Sequence, residues 1–211
     1  MSEKVLIRIH PENPEPRKIA QVIDLLNDGA VVVCPTDTVY AFVCSAHQPR
    51  AIERVAWLKG VKPQKADLSL ICKDLSQLSA YTRQVGTPAF RTMKSVLPGP
   101  YTFILPANTD IPKLFKNNKR TIGIRVPDHP IPIALVEALG HALVVASVHG
   151  QDEILEYTTD PELIDEQVGH QVQAVIDGGL CGLEGSTVID LSDDRNPVVL
   201  REGKGPIDGL F

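Results

Sequence analysis

Short hydroxyl side chains stand directly after an apolar run near the start of the chain. Thr36 and Thr38 lie in the loop 35–40, which follows the β-branched run 30–34. Ligands in α/β sheets favour the loops beyond the carboxyl ends of strands. The two hydroxyls, with the backbone amides around them, could therefore bind a carboxylate or a phosphate. An ordinary turn built on Asp and Thr is the alternative explanation for this loop.

Cations occur at two further places where an anionic ligand would need them. Arg125 lies inside the apolar run 121–126, and burial of a guanidinium requires an anion or another polar partner. A structural salt bridge to an acidic residue further along the chain is the alternative. Lys59, Lys62 and Lys65 follow a predicted helix and suit a polyphosphate, although lysines also complement the carboxyl end of a helix dipole.

Hydroxyl and guanidinium groups also stand at the ends of other apolar runs, on Thr102, Ser147, Ser186 and Arg201. His149 invites a general-base interpretation, but no G-x-S-x-G pattern accompanies it. The chain also lacks G-x-x-x-x-G-K-[ST] and G-x-G-x-x-G, so neither of the usual phosphate-binding loops is present. A nucleotide would have to bind through a less common kind of pocket.

Charge is distributed unevenly, although the net charge of the chain is only −5. Residues 50–125 have a balance of +10, whereas residues 126–211 have a balance of −13. Such asymmetry is a hint of an anionic partner, and solvated surfaces of both signs are the alternative. The asymmetry alone does not distinguish ATP from RNA.

Apolar periodicity predicts the elements that must position these groups. Helices are expected at 16–27, 50–59, 75–78, 88–96 and 131–139, with another opening at 160–161 and with N-caps at Asp74, Thr87, Asp128 and Asp160. Strands are expected at 5–10, 30–34, 40–45, 68–72, 101–105, 121–126, 142–147, 172–176, 187–191 and 197–200. Because strands and helices interleave throughout, we expect one α/β domain over residues 1–211.

The composition predicts a cytoplasmic protein without a structural metal. No apolar run is long enough to cross a bilayer, and residues 1–4 do not begin a signal peptide. The six histidines show no spacing typical of metal ligands. Buried free thiols are expected because no C-x-x-C pair occurs among the scattered cysteines, which are Cys34, Cys44, Cys72 and Cys181.

Taken in order, these segments resemble the YrdC/YciO family, whose best-known members are L-threonylcarbamoyladenylate synthases, and they look closest to the YciO branch. The matching stretches are PTDTVY at 35–40, KG at 59–60, PGPYTFIL at 98–105, TIGIRVPDHP at 121–130, Ser147, GSTVID at 185–190 and VVLREG at 198–203. The resemblance implies a twisted mixed parallel and antiparallel sheet, flanked by helices, with a large basic concave cavity. It also implies a nucleotidyltransferase that converts threonine, bicarbonate and ATP into threonylcarbamoyl-AMP and pyrophosphate for tRNA modification.

The resemblance assigns roles to particular residues. It implies that Lys59 and Arg125 are catalytic, with Arg125 a clamp for the threonine carboxylate. The substrate-binding residues that it implies are Thr36, Thr38, Thr102 and Ser186. The nucleotide-binding residues that it implies are Lys59, Lys62, Ser147, His149 and Arg201. Mg²⁺ would enter with ATP, held largely by phosphate oxygens, and no tightly bound cofactor is expected.

Three positions depart from the family pattern. The Lys-x-Arg motif is replaced by KGVK at 59–62, the Ser-x-Asn motif by SVH at 147–149, and the glycine after the PTDTVY loop by Ala41. Because lysine does not reproduce bidentate phosphate recognition by arginine, a weak or specialised synthase is predicted. One alternative is a non-catalytic protein that binds double-stranded RNA or tRNA through the basic residues Lys62, Lys65, Lys113, Lys116, Lys119 and Arg120. Another is that residues 113–120 are only a solvated loop.

Overall fold

The computed structural model describes residues 5–62, 66, 68–111, 120–148 and 156–211. Apolar and β-branched runs suit the pleated surface of a buried sheet. Within the described residues they form ten strands: β1 Val5–Arg8, β2 Val32–Cys34, β3 Ala41–Ser45, β4 Ser69–Ile71, β5 Tyr101–Pro106, β6 Thr121–Arg125, β7 Leu143–Ser147, β8 Ala174–Asp177, β9 Thr187–Asp190 and β10 Val198–Arg201.

These strands make one mixed sheet in the order β1-β8-β2-β3-β7-β4-β6-β5-β9-β10. The pairs β1·β8, β2·β8, β4·β6 and β5·β9 are parallel. The pairs β2·β3, β3·β7, β4·β7, β5·β6 and β9·β10 are antiparallel. A mixed sheet flanked by helices confirms the predicted fold class.

Helices cover both faces of the sheet. In the described part of the chain they are α1 Pro16–Asn27, α2 Pro49–Leu58, α3 Thr87–Val96, α4 Pro130–Leu139 and α5 Pro161–Val168. Successive strand residues point to opposite faces. Val32 of β2 therefore packs with α1 and α4, while Val33 packs with α2 and α3. No helix among the described residues has the length and apolarity needed to cross a bilayer.

Short 3₁₀ helices complete the connections. The predicted caps Asp74 and Asp160 are confirmed, because each carboxylate accepts backbone N–H bonds at the start of the helix that follows it. Single-turn 3₁₀ segments lack the long apolar spacing by which a helix is found in sequence. The described 3₁₀ helices are Leu75–Ala80, Glu156–Thr159 and Gly169–Gln171.

Two of the predicted N-caps are wrong by one residue. Gly86 is the N-cap of α3, because Thr87 is already the first residue of the helix. His129 precedes α4 and its Nδ1 accepts the backbone N–H of Ile131 at 3.3 Å. Asp128 lies one residue before the N-cap, and the backbone N–H groups of the first turn bond to the side chain at the N-cap itself.

The cysteines are free thiols, and three of the four are buried as expected: Cys34, Cys44 and Cys72. Cys181 is half-buried. Burial raises the pKa of Cys72 to about 12 and that of Cys181 to about 11. Since the thiolate is the reactive form, both thiols are poor nucleophiles at neutral pH.

Candidate functional site

Thr36, Thr38 and Arg125 belong to one buried hydrogen-bonded network. Arg125 Nη2 donates to Thr38 Oγ1 at 2.9 Å and to Asp37 Oδ1 at 2.8 Å. The hydroxyl oxygens of Thr36 and Thr38 are 3.0 Å apart. Thr36 Oγ1 also donates to the carbonyl oxygen of Val39 at 2.7 Å. The loop between β2 and β3 and the end of β6 therefore form a single polar unit.

Arg125 makes the salt bridge that the sequence left as an alternative, but to an earlier residue. Its partner is Asp37, which precedes it by 88 residues, and the two side chains are only 7% and 6% exposed. Burial and the nearby charge of Arg201 lower the pKa of Arg125, while Asp37 raises it. Arg125 Nε is buried without a hydrogen-bond partner among the described residues. The guanidinium thus has hydrogen-bonding capacity that its contacts with Asp37 and Thr38 leave unused.

Strands β3, β7 and β4 separate β2 from β6 in the sheet. The contact between the loop 35–40 and Arg125 is therefore made across the sheet and not between neighbouring strands. Gly123 in β6 allows the neighbouring strands to place polar side chains beside it. A Cβ at this position would lie 2.3 Å from Ser69 Oγ and 3.3 Å from Thr102 Cγ2.

Lys59 and Ser147 form a second contact group next to the same loop. Lys59 follows the last residue of α2, and its Nζ donates to the carbonyl oxygen of Ser147 at 2.9 Å and to Ser147 Oγ at 3.4 Å. Burial lowers the pKa of Lys59. Ser147 pairs directly with Ala41 across β3 and β7, and Val148 N–H donates to the Tyr40 carbonyl at 3.0 Å.

Thr102, Ser186 and Arg201 form a third group. The hydroxyl oxygens of Thr102 and Ser186 are 2.7 Å apart, and Arg201 Nη2 donates to the Ser186 carbonyl at 2.8 Å. Thr102 Cγ2 would lie 3.3 Å from a Cβ at Gly123, which is two residues before Arg125, so this group lies near the first. The structure thus gathers eight of the predicted site residues into three neighbouring groups.

The remaining predicted site residues are not part of these contacts. Lys62 is exposed, and among the described residues no hydrogen bond joins it to the three groups. His149 lies outside the described residues, as do Lys65, Lys113, Lys116 and Lys119 from the RNA-binding alternative, while Arg120 is exposed. The large basic cavity stays a prediction.

Sequence reasoning did not single out Asp37, Asp128 or Lys204 as site residues. Asp37 was visible in the motif, and a buried arginine signals a carboxylate partner. Asp128 N–H donates to Asp37 Oδ2 at 3.1 Å, and Lys204 Nζ donates to the Asp37 carbonyl oxygen. No local pattern pointed to Lys204. A pocket of about 320 Å³ is lined by Asp37, Val96, Pro98, Gly99, Pro100, Asp128 and Lys204.

The fold and the site define an α/β protein with a buried arginine–aspartate pair beside threonine hydroxyls. The sequence model of the Sua5, YciO and YrdC family, described as "Telomere recombination", matches residues 24–203. The chain belongs to this family, as the resemblance of its motifs predicted.

Individual members of this family are similar to the chain over most of its length. YciO of Escherichia coli, an uncharacterised protein, is 42% identical over 201 residues, covering 94% of this chain and 95% of that protein. Its crystal structure covers all of both chains with a TM-score of 0.90. The threonylcarbamoyl-AMP synthase of Halorhodospira halophila is 30% identical over 191 residues, covering 90% of this chain and 97% of that protein. Pyrococcus abyssi Sua5 in complex with L-threonine is 28% identical with a TM-score of 0.85, over 96% of this chain and 58% of Sua5.

Proposed function

We propose that this protein binds threonine and ATP and forms threonylcarbamoyl-AMP from them with bicarbonate. The main supporting observation is the buried Arg125 guanidinium, which lies beside two threonine hydroxyls and has hydrogen-bonding capacity beyond its contacts with Asp37 and Thr38. A guanidinium suits a carboxylate, and the hydroxyls of Thr36 and Thr38 suit a polar amino acid. A relative that is named as the synthase and a related Sua5 that binds L-threonine support the same ligand.

The proposed reaction has two steps. The amino group of threonine joins the carbon of bicarbonate with loss of water, which gives a carbamate. A carbamate oxygen then attacks the α-phosphorus of ATP, and the bond between that phosphorus and the bridging oxygen to the β-phosphate breaks to release pyrophosphate. Catalysis of such a transfer depends mainly on positioning and on charge neutralisation.

The chain's own residues supply both effects. Arg125 holds the threonine carboxylate, and Thr36 and Thr38 orient the molecule from the same wall. Lys59 and Arg201 offer positive charge to the phosphates, with Mg²⁺ entering on ATP itself. Since Val61 stands at the arginine position of the Lys-x-Arg pattern and Lys62, one residue further on, does not reproduce bidentate phosphate binding, we expect slow turnover.

Pyrophosphate release tests the proposal. Wild-type protein with ATP, Mg²⁺ and bicarbonate should release pyrophosphate only when threonine is added. Arg125→Ala should lower the rate by about 100-fold, because the carboxylate loses its clamp. Arg125→Lys keeps a charge opposite Asp37 and guards against a variant that simply unfolds, and circular dichroism reports the fold of each protein.

An exposed arginine on α3 provides the matched control. Arg91→Ala should release pyrophosphate at the wild-type rate, because its side chain is exposed on α3. Wild-type protein that releases no threonine-dependent pyrophosphate above the Arg125→Ala background would reject the synthase.

A further inference from the structure

Lys204 reaches from the C-terminal segment to the loop that carries Thr36 and Thr38. Its Nζ donates to the carbonyl oxygen of Asp37, a residue 167 positions earlier. Asp37 thereby contacts two cations, since Arg125 holds its carboxylate at 2.8 Å. A neutral carbonyl is a weaker partner for an ammonium than a carboxylate is, so the Lys204 charge stays available to an anion.

The backbone around Lys204 is held firmly. Its N–H donates to the Gly185 carbonyl at 2.9 Å, and Gly203 N–H donates to Thr187 Oγ1 at 3.0 Å. A Cβ at position 203 would lie 2.3 Å from the Gly185 oxygen, so this close approach requires glycine. The Lys204 side chain is exposed but starts from a fixed base, and a fixed base lowers the cost of ordering a ligand contact.

The surroundings of the Lys204 side chain fit a small zwitterion. Lys204 lines the 320 Å³ pocket together with the carboxylate-bearing residues Asp37 and Asp128. This volume lies at the small end of the range for ligand pockets. On its wall, Lys204 supplies a positive charge and the exposed Asp128 a negative one, which match the carboxylate and the ammonium of an amino acid.

We infer that Lys204 is the second cation for the substrate carboxylate, exchanging the Asp37 carbonyl for that carboxylate when the amino acid binds. The inference rests on the proposed function, in which Arg125 binds the same group. Arg125 Nε has no hydrogen-bond partner among the described residues, and the Lys204 ammonium adds a second positive charge for a carboxylate that has two oxygens. Arg125 donates to Asp37 Oδ1 and Lys204 to the Asp37 carbonyl oxygen, so both cations adjoin the same residue.

Calorimetric titration with two probes tests the inference. L-Threonine carries the carboxylate, whereas L-threoninol replaces it with a hydroxymethyl group and keeps the ammonium. Lys204→Gln should weaken threonine binding about tenfold and leave threoninol binding unchanged, since a hydrogen bond to a charged group is lost only with the carboxylate. Lys204→Arg should retain most of the threonine affinity. Lys18→Gln, on α1, is the matched control and should bind both probes as the wild type does.

Three other outcomes of these titrations would contradict the inference, and each has a different meaning. Wild-type threonine affinity in Lys204→Gln would show that the ammonium does not contact the ligand, with the proposed function intact. Equal losses for threonine and threoninol would show that Lys204 acts on the pocket's shape. Wild-type protein that does not bind threonine would overturn the proposed function and this inference together.

Discussion

The proposed amino-acid side and the proposed nucleotide side of the site are built differently, although both adjoin the loop 35–40. On the amino-acid side, Asp37 and Arg125 form an ion pair whose side chains are 6% and 7% exposed. On the nucleotide side, Lys59 and Ser147 are half-buried, and the ammonium contacts a carbonyl and a hydroxyl. Charges interact more strongly where water is excluded, so the buried ion pair is the stronger of the two contacts.

The positions that depart from the family pattern follow this division. Ala41 pairs directly with Ser147, and opposed side chains in a sheet have Cβ atoms about 4.5–5.5 Å apart. Its methyl group therefore stands beside the Lys59–Ser147 contact, and Lys62 lies on the exit from the same helix. Two of the three departures from the family pattern thus lie near the Lys59–Ser147 contact, whereas Asp37 and Arg125 match the pattern.

The largest expected effect comes from breaking the buried pair. Asp37→Ala should lower the free energy of unfolding by about 3–5 kcal/mol, because it leaves the Arg125 charge buried without a carboxylate. Urea denaturation followed by circular dichroism measures this. Asp24→Ala, at an exposed position of α1, is the matched control and should change stability by less than about 0.5 kcal/mol.

A double variant sharpens the same comparison. Asp37→Ala combined with Arg125→Leu should be more stable than Asp37→Ala alone, since it removes the charge that the single variant leaves unpaired. Two results would show that the pair is not isolated from water: stability losses of the two substitutions that simply add in the double variant, or an Asp37→Ala variant that loses less than about 1 kcal/mol.

A middle-sized effect is expected on the nucleotide side. Lys59→Met should weaken ATP binding about tenfold while changing stability little, because a charge-assisted contact with phosphate is lost. The lowered pKa of Lys59 adds a pH dependence. Because only the protonated ammonium attracts phosphate, ATP affinity should begin to fall at a pH below the pKa of an ordinary lysine.

Lys59→Arg tests whether this pH dependence comes from the lysine. Arginine stays protonated, so the variant should keep its ATP affinity as the pH rises. Calorimetric titrations at several pH values compare the three proteins. Parallel pH profiles for wild type and Lys59→Arg would assign the dependence to another group.

The smallest expected effect concerns the helix that follows Arg125. His129 caps α4 through Nδ1, which accepts a hydrogen bond only when unprotonated, and burial lowers its pKa. Its contribution to stability should therefore be complete above the ordinary histidine pKa of about 6.5 and be lost as pH falls through the lower pKa of the folded state. His129→Asn keeps a capping side chain that does not titrate. On acidification, its free energy of unfolding should therefore fall by about 0.5–1 kcal/mol less than that of the wild type.

Thermal unfolding from neutral to acidic pH measures the difference between these two proteins. His141 also has a lowered pKa, caused first by burial and then by His47. Both proteins contain His141 and His47, so their contribution cancels in the comparison. Identical pH profiles for wild type and His129→Asn would show that the cap does not titrate in this range.

Much of the local structure could be predicted from the sequence because it depends on neighbouring residues. Apolar spacing placed α1 at Pro16–Asn27, and β-branched runs placed β2 and β7 within two residues of their bounds. The caps of α3 and α4 were misplaced by one residue. Cap identity depends on where the chain turns into the helix, and several polar residues in a row offer the same local signal.

The sequence by itself determined the order of the elements, the residue types near strand ends and the family. Only the tertiary structure decided that Asp37 partners Arg125 across 88 residues and that Lys204 reaches Asp37 across 167. These contacts depend on strand order and twist, which bring together residues that share no local pattern. A buried charge demands a partner, but only the assembled sheet selects which residue supplies it.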